Sequence, residues 1–340
     1  MSRLQLDMLP VGDSDAILLE VGLSESPVVI LIDGGRNWED GDRVLRHLEE
    51  YYGGRIDHLV LSNMDADHAE GLLHVAENLS TEQIGQAWIQ DISRHGVDPD
   101  RAVALARRVR EEAQSTAVRS MAEHLIRSVE TTRQLVQTLQ EKGVPVKGAF
   151  ADRNNHIGPL EVLGPTEAFF EECVRFYDDV EMLHRVVEQG VSVRRRKAPG
   201  RGPAHPDEVL AQAVDDPQTV QQASLILLLQ YEGDRYLFTG DAGRRAFSRV
   251  PDKGKMRDLH WLQVPNHGSK HNLGPGLLDL FSPDLAYISC SGVGINPHPD
   301  LLSALRNRGA VVYTTAGSGN IWHRRGDVPA RPGYETRRPR

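Results

Sequence analysis

The chain has 340 residues, enough to bury a full core in one large domain or two ordinary ones. It is 39% hydrophobic and 26% charged with a formal net charge of -9, a soluble, globular composition that argues against a protein coating nucleic acid, although its basic residues are unevenly clustered. The two cysteines, Cys173 and Cys290, lack the spacing of a thiolate metal site or redox pair. They read as buried thiols in a reducing compartment. No uninterrupted apolar run marks a signal peptide or a membrane helix, so the expectation is cytoplasmic with no membrane partner.

The first predicted elements are strands, "LQLDML", "AILLEVG" and "PVVILID", with the turn "VGDSD" between the first two. A helix follows, with Val44, Leu45, Leu48 and Tyr52 at helical spacing and Gly53-Gly54 as its stop. The strand "HLVLS" then leads through "SNMDADHAEG" into a second helix. Residues 98–143 read as a helical insertion, opened by Asp98 and Pro99, closed by Gly143 and broken near "AQSTA". After the strand "LEVLGP" comes a second insertion, a helix followed by an Arg-, Pro- and Gly-rich loop. The last third carries "SLILLLQY", "RYLFTGD", "HWLQVPNHGS", "LAYISCSG" and "AVVYTTAG", and then an Arg- and Pro-rich tail expected to lack order.

Polar clusters sit at four of these strand ends: Asp65, Asp67 and His68; Gly240-Asp241; residues 266–269, "NHGS"; and residues 296–299, "NPHP". Carboxylates and imidazoles at strand ends are held rigidly and leave room for a substrate. Their order resembles the metallo-β-lactamase fold, and specifically the soluble metallo-β-lactamase-like domain of ComEC-type DNA-uptake proteins. The matching pieces are "VGDSDA", "LIDGG", residues 62–71 against S-H-x-D-x-D-H-x-x-G, "VQQASLILLL", "LFTGD", "NHGSK" and "NPHP".

The resemblance implies a metal site of Asp67 and His68, with Asp241 bridging and His267 or His298 completing it. Asp65 stands where other branches of the fold carry a second His. Asn63 stands where the first His belongs, and Asn266 replaces the first His of an "HHGS" turn. An amide oxygen is a poorer transition-metal ligand than imidazole. Asp65, Asp67 and His68 are therefore expected to hold a divalent cation, Zn or Mn, with one or two ions bound. Ser269 and Lys270, with neighbouring glycines, and Asn63 are expected to bind substrate.

The plainer alternative for Asp67, His68 and Asp241 is capping and turn stabilisation. Arg194, Arg195, Arg196, Lys197 and Arg201 could track a phosphate backbone or form a solvated loop. The tryptophans are expected in the core.

The expected architecture is α/β, an αββα four-layer sandwich with two helical insertions. One domain covers residues 1–322, with insertions at about 96–145 and 166–218, and residues 323–340 form a basic tail. The expected activity is that of a metal-dependent hydrolase, a phosphodiesterase or nuclease using metal-activated water. The alternative is a degraded scaffold or regulatory subunit of a multi-protein, possibly defence, system. Expected partners are nucleic acid, and proteins docking on the helical insertions.

Overall fold

The computed structural model describes residues 2–22, 26–179, 182–183, 185, 205–215, 219–316 and 319–331. The basic cluster Arg194, Arg195, Arg196, Lys197 and Arg201 lies outside them.

Among the described residues, the Val, Ile and Leu runs with a few shorter segments form two sheets of seven strands each. In the first, β1 (Arg3–Met8), β2 (Ile17–Gly22), β3 (Val28–Ile32), β4 (Ile56–Val60), β5 (Ile84–Trp88) and β6 (Val146–Lys147) run in chain order. The second holds β7 (His156–Ile157), β8 (Leu160–Gly164), β9 (Ile226–Tyr231), β10 (Asp234–Phe238), β11 (Trp261–Gln263), β12 (Leu285–Ile288) and β13 (Val311–Thr314). The last strand, β14 (Ile321–Gly326), returns to the first sheet and pairs antiparallel with β1. Each sheet begins antiparallel and continues parallel, from β3 to β6 and from β10 to β13.

The inner faces meet in one apolar layer, where Leu6, Leu19, Ile30 and Val60 of the first sheet join Leu227, Tyr236, Trp261 and Tyr287 of the second. Helices cover the outer faces. On the first sheet lie α1 (Trp38–Tyr52) and α2 (Ala66–Asn78), with Val44, Leu48, Leu72 and Val75 packed on Leu31 and Leu59. On the second, the helices Arg244–Arg249, Pro275–Phe281 and Pro299–Asn307 bring Phe247, Phe281 and Leu305 against Leu237 and Leu262. Strands covered on both faces need continuous apolar sequence, which is what these runs are. The result is the αββα sandwich that the motif order implied. Among the described residues, no helix is long and apolar enough to cross a membrane.

Residues 99–141 form two helices, α3 (Pro99–Glu112) and α4 (Thr116–Glu141). Asp98 caps α3 by accepting from the N–H groups of Asp100 and Arg101. Both helices pack into the apolar clusters outside the sheets, through Ala106, Val109, Leu125 and Val129 and through Leu135 and Leu139. In the second insertion Glu167–Val174 is helical and Cys173 is buried.

Two expectations fail. Residues 323–326 are not tail but part of β14, and Arg331 beyond it lies on Tyr51, with its guanidinium 4.0 Å from the ring centroid and Nη1 2.8 Å from Asp7. Their arginines suggested solvated chain, but an edge strand can carry them outward while its backbone pairs. Trp38 is 61% exposed at the start of α1, unlike the buried Trp88, Trp261 and Trp322.

Candidate metal centre

The site lies where parallel strands of both sheets end. After β3 the chain turns through Asp33, whose φ of 58° is left-handed. The Asp33 carboxylate accepts from the Ser62 N–H at 2.7 Å and from Ser62 Oγ at 2.6 Å, tying the end of β3 to the turn after β4. That turn is closed by Asn63, whose Oδ1 accepts from the Asp65 N–H at 2.8 Å. Its carbonyl at Ser62 accepts from the Leu225 N–H of the second sheet's approach at 2.8 Å. The turn therefore sits on the seam between the sheets.

The helix α2 starts here and places His68 one turn in, fully buried. Gly71 explains the last position of the motif: a Cβ there would lie 1.8 Å from the Gly34 carbonyl oxygen, so only glycine lets α2 settle on the turn after β3. His68 Nδ1 is 2.8 Å from Asp33 Oδ2 and Nε2 is 3.2 Å from Asp241 Oδ2. Burial works against its charge, but Asp241 and Asp33 outweigh it and hold the imidazole pKa well above the ordinary value.

Asp241 comes from the turn after β10 and His267 from the turn after β11, with His267 Nε2 3.7 Å from Asp241 Oδ1. Burial would raise the Asp241 pKa; His68 and His267 overcome it and lower it. His267 sits between Asn266 and Gly268 in three consecutive left-handed residues, with φ of 48°, 55° and 82°. Gly268 is required there, because a Cβ would meet Pro297 at 2.6 Å. The His267 Nδ1–H donates to the Ser289 carbonyl at 3.1 Å. With Nδ1 of both imidazoles engaged outward, both Nε2 atoms face the carboxylates, the orientation that outer hydrogen bonds give metal-ligating histidines.

Ligand atoms of Asp67, His68 and His267 lie within 4.8 Å of one another, as do those of Asp15, His68 and Asp241. Oδ1 of Asp67 and Oδ1 of Asp241 are buried with no hydrogen-bond partner among the described residues. Burial raises the Asp67 pKa, and it pushes the Asp15 carboxyl up to about 6. Unsatisfied carboxylate oxygens facing two oriented imidazoles fit a divalent cation, which Asp67, His68 and His267 would hold with Asp241 and Asp15 adjoining through His68.

Asp65 stands beside this cluster. Although it occupies the N-cap of α2, its side chain does not cap the helix. Its Oδ1 lies 3.4 Å from His124 Nε2 and its Oδ2 3.4 Å from Gln221 Nε2. Burial opposes the charge on His124, yet Asp65 lifts its pKa above the usual value. Asn266 joins the same corner, donating from Nδ2 to Gln221 Oε1 at 3.0 Å. The two positions where the resemblance implies imidazole are thus filled by amides, Asn63 bonded within its own turn and Asn266 bonded across to Gln221.

His298 is not brought into the cluster. It caps the helix Pro299–Asn307, accepting from the Asp300 N–H at 3.3 Å, and meets the site only by donating its backbone N–H to the Gly268 carbonyl at 2.9 Å. Burial first and then Lys270 lower its pKa. Ser269 Oγ accepts from the His271 N–H at 3.3 Å, and Lys270 lies half-buried with its carbonyl accepting from Arg244 at 3.1 Å. Four contributors escaped singling out: Asp15, Asp33, Gln221 and His124. The first three lay within quoted motifs; His124 carried no local signal.

The four layers, with carboxylates and imidazoles converging at strand ends, have the architecture of the metallo-β-lactamase fold. ComE operon protein 3 of Bacillus subtilis (strain 168) is 26% identical over 169 residues, covering 46% of this chain and 21% of that protein. The chain thus spans about a fifth of that relative's length. No family model matches. Among solved structures, the metallo-β-lactamase fold protein YhfI of Bacillus subtilis is 10% identical, with 94% of this chain and 99% of that one covered and a TM-score of 0.42. AidC, a dizinc quorum-quenching lactonase, is 12% identical, covering 67% of this chain and 56% of its own with a TM-score of 0.31. The hydrolase AbOPH of the β-lactamase superfamily is 14% identical with the same coverage and a TM-score of 0.35.

Proposed function

We infer that the chain is a metal-dependent hydrolase of phosphodiester bonds, a nuclease or related phosphodiesterase. One observation carries the reading: Asp67, His68, Asp241 and His267 converge with unsatisfied carboxylate oxygens and with imidazoles already turned by outer partners. A divalent cation there, Zn or Mn, would supply Lewis acidity toward a phosphoryl oxygen and toward water. Asp33 and the Ser289 carbonyl fix the imidazoles, and Asp15 stands beside His68 and Asp241 as a further carboxylate.

The substrate class is supported by the sequence resemblance.

The test is hydrolysis of bis(p-nitrophenyl) phosphate and of single- and double-stranded DNA and RNA by protein loaded with Zn²⁺ or Mn²⁺. Asp67→Ala and His68→Ala are each expected to lower the rate by about 100-fold or more. Equal turnover in wild type and both variants would remove the enzyme reading.

A second reading, a non-catalytic scaffold, is favoured by Asn63 and Asn266, whose amides are engaged by the Asp65 N–H and by Gln221. It predicts metal-loaded protein with no turnover of any of these substrates.

A further inference from the structure

We propose that His124, on the helical insertion, completes a second divalent-cation site with Asp65 and Asp67, so that the insertion replaces the imidazole missing at Asn63. The ligand atoms of Asp65, Asp67 and His124 lie within 4.8 Å of one another. An ion with tetrahedral ligands at about 2.1 Å sets neighbouring ligand atoms about 3.4 Å apart. Asp65 Oδ1 and His124 Nε2 are 3.4 Å apart.

The surroundings commit these atoms to that corner. Asp65 leaves its own helix uncapped, and Gln221 holds its other oxygen. Asp67 belongs also to the group with His68 and His267, and its buried Oδ1 has no hydrogen-bond partner among the described residues. Its carboxylate therefore stands between the two positions.

α4 is docked to present His124 there. His124, Ser128 and Thr132 recur every fourth residue and so share one helical face. Ser128 Oγ accepts from the Ala66 N–H at 3.0 Å, and Thr132 Oγ1 donates to the Met64 carbonyl at 3.4 Å. The stripe is fixed to the turn that carries Asp65. Two carboxylates and one imidazole, with remaining positions open to water, suit Mn²⁺ or Zn²⁺.

The site rests on the metal-centre reading of its neighbour, and the experiment separates them. Full-length protein is stripped with chelator, reloaded with Mn²⁺ or Zn²⁺ alone and desalted, and bound ion is measured by elemental mass spectrometry and calorimetric titration. Wild type is expected to hold two equivalents, His124→Ala and His124→Gln one, His68→Ala one and Asp67→Ala none. The His124 side chain is 30% exposed, so its truncation leaves no sealed void. Two equivalents in both His124 variants would overturn the proposal. One equivalent in wild type, unchanged by His124→Ala and lost with His68→Ala, would overturn it while leaving the first centre standing. No bound ion in wild type would overturn both.

Discussion

His68 carries one imidazole between two carboxylates, and without a cation it is a natural place for a second proton. Nδ1 faces Asp33 and Nε2 faces Asp241, and the imidazolium is favoured to well above its ordinary pKa. A cation at Nε2 must displace that proton, so loading releases it and affinity rises with pH. The expected gain is about tenfold per pH unit for one displaced proton, through neutral pH and up to the raised pKa. Calorimetry of Zn²⁺ binding in buffers of different ionisation enthalpy would show this release; a heat independent of buffer would contradict it. Asp67, His68 and Asp241 were legible in sequence because each sits in a short motif with fixed neighbours. His124 was not, because a single histidine on a polar helix looks the same whether it faces solvent or a carboxylate, and only the docking of α4 decides.

At the scale of elements, the strands of the sandwich's centre were readable as apolar runs, and α1 as a periodic stripe ended by a left-handed Gly53 with φ of 72°. The short strand β5 was not, since Gly85 and Gln86 break its apolar pattern, and two-residue strands such as β6 have no pattern to read. Between α2 and the turn after β3 the backbone approach is too close for any side chain, with the Gly34 oxygen 1.8 Å from where a Gly71 Cβ would stand. Gly71→Ala is expected to push the helix off that turn at a cost of about 3 kcal/mol, seen as a lower urea midpoint. Because His68 lies one turn before it, the same variant should also lose metal. An unchanged midpoint would mean that α2 shifts freely and that the contact does not set the site.

At the scale of the whole molecule, the centre draws Asp67 and His68 from a strand end of one sheet and Asp241 and His267 from strand ends of the other, so its geometry depends on how the sheets meet. A separate polar cluster closes the far side of the first sheet. Asp7 is fully buried and is held by Tyr52 Oη at 2.6 Å, His47 at 3.2 Å and Arg331 at 2.8 Å. Arg331→Ala removes the permanent cation from a buried carboxylate and is expected to cost about 3 kcal/mol. Arg331→Lys should recover only part of that, since Arg331 also donates to Gln5 through Nη2 at 2.8 Å. Equal denaturation midpoints for all three proteins would show the remaining partners to suffice.

The pairing of β14 with β1 has a consequence for how the chain is born. Of the described strands β1 is made first, yet its outer neighbour β14 is made last. Throughout synthesis the edge formed by residues 3–8 has open backbone groups, and a newly made sheet with such an edge invites pairing with another chain. A nascent chain of this topology therefore depends on shielding that lasts until residue 326 has emerged, a demand set by strand order and independent of the finished protein's stability.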